Sequence, residues 1–137
     1  MDAQQHKAIY RRYVELLWTP DRLDEVLASD FIAHDLPVAT PPGREGLKAF
    51  RRMVNRAFPD LKMEILDLIA EGDKVAARIS LVGTHRADFM GIAATNNQVK
   101  TQLFEIVRFS DGKIVDRWIM RDRLDELQQL GALPRRL

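Results

Sequence analysis

The sequence predicts an α+β fold: a curved antiparallel sheet wrapped around three N-terminal helices, a cone-shaped barrel enclosing one pocket. Three observations carry this reading. Apolar residues recur at helical spacing in the first part of the chain. The period drops to two after Pro59. Two turn signals, Glu71-Gly72-Asp73 and Ser110-Asp111-Gly112-Lys113, then join long strands as hairpins. Helices followed by a run of hairpin-joined strands indicate helices segregated to one face of an antiparallel sheet. If that sheet curls, the helices and its concave face surround a cavity where a ligand would sit.

The first helix is read from Ile9, Tyr13, Leu16 and Leu17, with Arg11, Arg12 and Glu15 on the opposite side. Thr19-Pro20-Asp21 restarts the chain with a capping residue, a first-turn proline and a first-turn acid. A short second helix carrying Leu23, Val26 and Leu27 follows, then a short strand from Phe31 to Asp35 and a Pro-rich loop from Pro37 to Gly43. Leu47, Phe50, Val54 and Phe58 mark a third helix, which Pro59 ends. The alternation of Leu61, Met63 and Ile65 with Lys62, Glu64 and Leu66 reads as a strand. Val75 to Thr84, Val99 to Phe109 and Ile114 to Met120 are the next strands, with a loop from Arg86 to Gln98 that can act as a lid. A closing helix uses Leu124, Leu127 and Leu130, with Gly131 as its cap and Pro134 blocking continuation.

The chain of 137 residues suits one domain, 1–137. Twenty-one Lys and Arg balance 20 Asp and Glu, which gives no reason to expect nucleic acid or an anionic membrane as partner. The terminal pair Arg135-Arg136 is too short to alter that. With no cysteine, disulfides, thiolate catalysis and Cys-ligated metals are excluded. The polar start, with neither a signal-type apolar run nor a bilayer-length segment elsewhere, makes a cytoplasmic protein the expectation. His6, His34 and His85 are far apart and follow no metal-ligand spacing, so no metal site is expected.

Several motifs occur in order along the chain: Phe31-x-x-His34, Ala57-Phe58-Pro59-Asp60-Leu61, Gly72-Asp73-Lys74-Val75, Arg78, Gly83-Thr84-His85 and Phe89-Met90-Gly91-Ile92 with Thr95. They continue with Arg108-Phe109, Asp111-Gly112-Lys113-Ile114-Val115, Trp118, Asp122 and Gln129-Leu130-Gly131. Together they resemble the SnoaL-like polyketide cyclases, of the nuclear transport factor 2-like superfamily. The resemblance implies a cone-shaped α+β fold and cofactor-free ring closure of a polyketide ester by intramolecular aldol condensation. It places the general acid/base at Asp122, four residues after Trp118, with His34 or His85 orienting it or the substrate. A more distant resemblance to ketosteroid isomerase implies roles for Tyr13, Asp35 and Glu105 around an oxyanion and its proton.

Proton removal next to a carbonyl needs a base near the C–H bond and a donor at the developing oxyanion. Asp122, His34 and His85 are the expected catalytic residues, and Tyr13, Asp35, Phe58, Glu105 and Trp118 the expected substrate-binding ones. Each also has a plainer structural reading. Asp122 would cap the last helix or pair with Arg121 and Arg123. His34 and Asp35 would point to opposite faces of a strand, His85 would anchor a loop, and Tyr13 would be a core aromatic. Glu105, between Leu103 and Val107 on one face, is a pocket acid, an edge charge or a buried partner of Arg78 or Arg108. A dimer is expected through the sheet, because Phe104 and Ile106 make the face opposite Val99, Leu103 and Val107 apolar as well. The alternatives to a cyclase are a non-catalytic small-molecule-binding or assembly domain of the same fold, or a ketosteroid isomerase-like isomerase or dehydratase.

Overall fold

The computed structural model describes residues 1–37 and 39–134; Arg135-Arg136 lies outside them. Helix α1 spans Ala3–Leu16 and opens with a capping box, in which the Asp2 side chain accepts from the Gln5 N–H and the Gln5 side chain accepts from the Asp2 N–H. Its buried stripe is His6, Tyr10, Tyr13, Val14 and Leu16, with Ile9 only partly buried. Counting aliphatic residues misses this stripe because its first three members are aromatic rings with polar tips.

The expected second helix is a 3-10 segment, Pro20–Glu25. Thr19 makes no side-chain cap there, and Asp21 pairs with Arg52 of the next helix instead. Val26 and Leu27 are not helical. Leu27 opens strand β1, Leu27–Ala33, which is longer and earlier than the periodicity suggests and leaves His34 and Asp35 in the following turn.

Helix α2, Arg44–Ala57, buries Leu47, Val54 and Ala57 together with Arg51 and Lys48. The Pro41 carbonyl lies against its first turn, where a Cβ on Gly46 would come within 1.6 Å of that oxygen. Only glycine lets the loop pass this closely.

The remaining strands are β2 (Lys62–Glu71), β3 (Lys74–Thr84), β4 (Gln98–Ser110) and β5 (Lys113–Arg121), before helix α3 (Arg123–Gln129). Both hairpins form as expected. Glu71 pairs with Lys74 around Gly72, whose φ is 59°. Ser110 pairs with Lys113 around Asp111 and Gly112, with φ of 51° and 76°. Positive φ at both central residues is the turn whose twist suits a two-residue hairpin.

The five strands form one curved, unclosed sheet in the order β1-β5-β4-β3-β2. Strands β2 to β5 are an antiparallel meander, but β1 runs parallel to β5, with Ile32 beside Asp116 and Ala33 beside Arg117. A helix-containing connection separates β1 from the meander, so hairpin logic does not set its direction. It occupies the edge that β5 leaves free. Register shifts after Ile65 and after Arg108 bend the strands they interrupt.

Along β4 the odd-numbered Val99, Leu103, Glu105, Val107 and Phe109 face inward, and Phe104 and Ile106 face out. One apolar cluster gathers Tyr10, Tyr13, Phe31, Ile79, Val107 and Ile114, and a second gathers Val54, Phe58, Phe89, Val99 and Leu130. Leu124 of α3 is exposed, whereas Leu130 at its end is buried and Gly131 follows at φ 79°. No helix among the described residues is long and apolar enough to cross a membrane.

Candidate active site

A cavity lies between the two apolar clusters. Tyr13 and Leu17 of the α1 end, Arg51, Val54 and Phe58 of the α2 side, and Leu103, Glu105, Arg117, Ile119 and Arg121 of the sheet line it. Phe89, Glu126 and Leu130 complete the wall near α3. The cavity and its open mouth together span about 800 Å³.

Its floor is a buried polar network. Glu105 is only 3% exposed. Tyr10 donates to its Oε1 at 2.5 Å and Tyr13 to its Oε2 at 3.0 Å. Arg117 sits beside them, its Nη1 donating to the Tyr13 hydroxyl at 3.2 Å and its Nε lying 3.9 Å from Glu105 Oε2. The rest of the Arg117 guanidinium grips Asp35 from Nε at 3.1 Å and Nη2 at 2.7 Å. The order Asp35, Arg117, Tyr13, Glu105, Tyr10 is thus one connected chain. It exists because β4 and β5 present Glu105 and Arg117 on the inward parity, and because residues 10 and 13 fall on one face of α1.

Burial pushes the Glu105 carboxyl above its ordinary value; Arg117, Tyr10 and Tyr13 oppose the shift without cancelling it. Burial, reinforced by the neighbouring Glu105 charge, also holds both phenols well above theirs. Burial works against the charge of Arg117, but Tyr13, Asp35 and Glu105 outweigh it and raise its pKa. The site therefore offers a carboxyl poised toward its neutral form, two phenol donors and a fixed cation, at the edge of an apolar slot.

The expected site residues separate into two groups. Tyr13, Phe58 and Glu105 line the cavity, and Asp35 stands behind Arg117. His85 is fully buried. Its Nδ1 accepts from the Thr95 N–H at 3.2 Å and its ring stacks on Phe58, 5.5 Å between centroids, so it ties the 86–98 loop to the cavity wall. His34, Trp118 and Asp122 lie elsewhere. The His34 ring stacks on Trp118 on the outer side of the sheet, and His34 Nε2 is 2.8 Å from Asp116 Oδ1. Asp122 is exposed and caps α3, accepting from the Asp125 N–H at 2.9 Å.

Neither Arg78 nor Arg108 partners Glu105. Both face outward and pair with Asp67 and Asp116. Of its true partners, Tyr13 is among the residues singled out in the sequence, and Tyr10 and Arg117 are not. Arg117 lies inward between Val115 and Ile119, the same signal that marks Glu105, and Tyr10 is one helical turn before Tyr13. Arg51 and Glu126 are two further wall residues that periodicity did not expose. Glu126 is buried and held by Arg121 at 2.7 Å and Arg123 at 3.2 Å. No group of three or more His, Asp or Glu among the described residues is placed to hold a metal ion.

Comparison with known proteins accords with this architecture. The family profile described as SnoaL-like polyketide cyclase matches residues 7–130. Aklanonic acid methyl ester cyclase DauD of Streptomyces sp. (strain C5) is 30% identical over 131 residues, covering 90% of this chain and 80% of the relative. The structure of TsrD from Streptomyces laurentii superposes with a TM-score of 0.88 at 27% identity, covering 97% of this chain and 99% of that one. AclR from Streptomyces galilaeus, a proposed hydroxylase, gives 0.81 at 30% identity, over 97% of this chain and all of that one. A profile match over nearly the whole chain, on the fold and cavity described above, makes this protein a member of the SnoaL-like polyketide cyclase family.

Proposed function

We propose that this protein is a cofactor-independent cyclase that moves a proton on a carbonyl compound of polyketide type, with Glu105 as the proton-transferring group. The observation that carries the reading is a carboxyl inside an apolar cavity, its pKa raised by burial and its oxygens held by two phenols. In its ionised form Glu105 takes the proton from the carbon next to a carbonyl, and the electron pair moves onto the carbonyl oxygen. The Tyr13 hydroxyl, polarised by Arg117, is the phenol of the cavity wall beside Glu105, and it turns its O–H from the newly protonated carboxyl to the resulting enolate. The enolate carbon then attacks a second carbonyl, and the proton held by Glu105 passes to the new alkoxide. Arg117 keeps Glu105 able to ionise despite its burial, and Asp35 holds Arg117 in place.

The family resemblance offers Asp122 for this role, and the cavity favours Glu105. Deuterium uptake from D2O at the carbon between the carbonyls of an aromatic β-keto ester, tested with and without a free carboxylate on its ring, is followed by NMR and separates the two. Wild type is expected to speed exchange, Glu105→Gln to lose about 10²–10⁴-fold, the usual scale of general acid/base catalysis, and Asp122→Asn to stay near wild type. A large loss in Asp122→Asn with Glu105→Gln active would transfer the role to Asp122. Saturable binding of the β-keto ester with no exchange would favour the non-catalytic binding domain.

We also infer a homodimer formed through the outer face of the sheet. Phe104 is 61% exposed and Met120 77%; they are paired across β4 and β5, next to the pair Ile106 and Trp118. A contiguous exposed apolar surface of this kind is usually covered. Sedimentation of wild type should give a dimer at micromolar concentration and Phe104→Asp a monomer; a monomeric wild type would sink the inference.

A further inference from the structure

Three arginines face the cavity, and two of them are tied to carboxylates. Arg117 holds Asp35, and Arg121 holds Glu126. Arg51 has no carboxylate at ion-pairing distance among the described residues, although it is only 6% exposed. Its Nε donates to the Leu17 carbonyl at 3.3 Å, its Nη2 donates to Asn55 Oδ1 at 2.8 Å, and its Nη1 reaches only the Met63 sulfur at 3.8 Å. The ring of Trp18 covers one side, with its centroid 5.3 Å from the Arg51 Cζ.

Neutral carbonyl and amide acceptors fix such a guanidinium in place without neutralising it. A guanidinium has five N–H donors, and a thioether is a weak acceptor for one of them. Keeping a desolvated cation without a counter-charge is costly unless something in the occupied cavity supplies one. Burial lowers the Arg51 pKa to about 10, with Arg117 and Arg121 acting in the same direction, so it is still a cation at neutral pH. The neighbouring Glu105 is not within ion-pairing distance of Arg51 and lies instead beside Arg117, its oxygens accepting from Tyr10 and Tyr13.

We propose that Arg51 is the docking point for a carboxylate on the substrate, so that the cavity selects a free acid over its neutral methyl ester. This rests on the reading that the cavity is the substrate site, and it specifies a class of ligand that the reading leaves open. Arg51 enters from α2 and Glu105 from β4, so a substrate held by its carboxylate at the helix wall would present another part of its skeleton to the sheet wall. Charge-assisted, two-pronged hydrogen bonding is the interaction a guanidinium makes best with a carboxylate.

NMR titration of the protein with 2-naphthoate and with methyl 2-naphthoate tests this, with the Arg51 Nε–H resonance as a local reporter. For wild type the acid should bind at least tenfold more tightly than the ester and shift that resonance. Arg51→Gln should bring the two affinities together, Arg51→Lys should keep part of the preference, and Arg52→Gln, at the neighbouring exposed arginine, should keep all of it. Equal affinities in wild type, no detectable binding of the acid at millimolar concentration, or an acid preference that survives in folded Arg51→Gln would each overturn the proposal. If Arg51→Gln does not fold, the wild-type comparison and the Arg51 resonance still decide. The preference requires no turnover, so absence of deuterium exchange would remove the enzymatic reading while leaving this site standing.

Discussion

Glu105 on the cavity floor and Asp122 at the start of α3 are both carboxyls accepting hydrogen bonds, yet their surroundings differ in every respect that matters for proton transfer. Glu105 is enclosed, bound by two phenols, and beside a buried guanidinium. Asp122 is open to water and bound to one backbone N–H of its own helix. Low dielectric shifts a carboxyl pKa and strengthens its contacts, whereas water removes both effects. The comparison teaches that a family-motif position and a chemically poised position need not coincide. The motif identifies a place in the chain, and the inward parity of a strand decides what faces the slot.

The largest expected effect on this comparison comes from Arg117. Arg117→Met leaves Asp35 and Glu105 without their shared cation, and breaking a buried ion pair typically costs about 3–5 kcal/mol. Urea denaturation should show a loss on that scale, while Arg52→Met, which breaks the exposed pair with Asp21, should cost far less. Equal losses would mean that the floor is no more coupled than the surface.

Next in size is Tyr13→Phe. It removes a donor from Glu105 and an acceptor from Arg117, at a cost of about 1–3 kcal/mol for the buried groups left short. In the exchange assay its rate should fall at least tenfold with the fold retained. Tyr10→Phe should weaken the rate less, because Tyr10 is not part of the cavity wall. A reversed order would assign the donor role to Tyr10.

The pH dependence of stability sharpens the contrast further. The folded-state pKa of Glu105 is raised, so the native state binds its proton more tightly than the unfolded chain does. The contribution is full below the unfolded value and is lost as pH rises through the raised one. Wild type should therefore lose stability relative to Glu105→Gln as pH climbs from the ordinary glutamate range toward neutrality. Parallel stability curves for the two proteins over that range would contradict burial as the dominant influence on Glu105.

The smallest effect belongs to Asp122→Ala, which deletes a helix cap. Such caps are worth about 0.5–2 kcal/mol, and the exposure of this one puts it near the lower end. Thermal denaturation should show a modest drop, with deuterium exchange unchanged.

Much of the fold was legible in the chain because its signals are local. Gly72 and the Asp111-Gly112 pair specify tight hairpins through the positive φ their turns require. Alternation along β4 separated Val99, Leu103, Glu105 and Val107 from Phe104 and Ile106, and packing made the first face the inward one. Leu27 and the direction of β1 were not legible. A short apolar segment after a proline turn fits either a helix or a strand, and pairing with the free edge of β5 chooses between them.

By itself the sequence determined the succession of helices and strands, the two hairpins and the presence of an acid on one apolar face of β4, since each depends on backbone preferences or a period within a few neighbours. Only the tertiary structure decided which groups that acid would meet. Tyr10, Tyr13 and Arg117 are separated from Glu105 by 95, 92 and 12 positions, and curvature, register and helix docking bring them together. The same assembly left Arg51 in the wall without a carboxylate and put Asp122 in water, because burial is a property of the packed sheet and helices together.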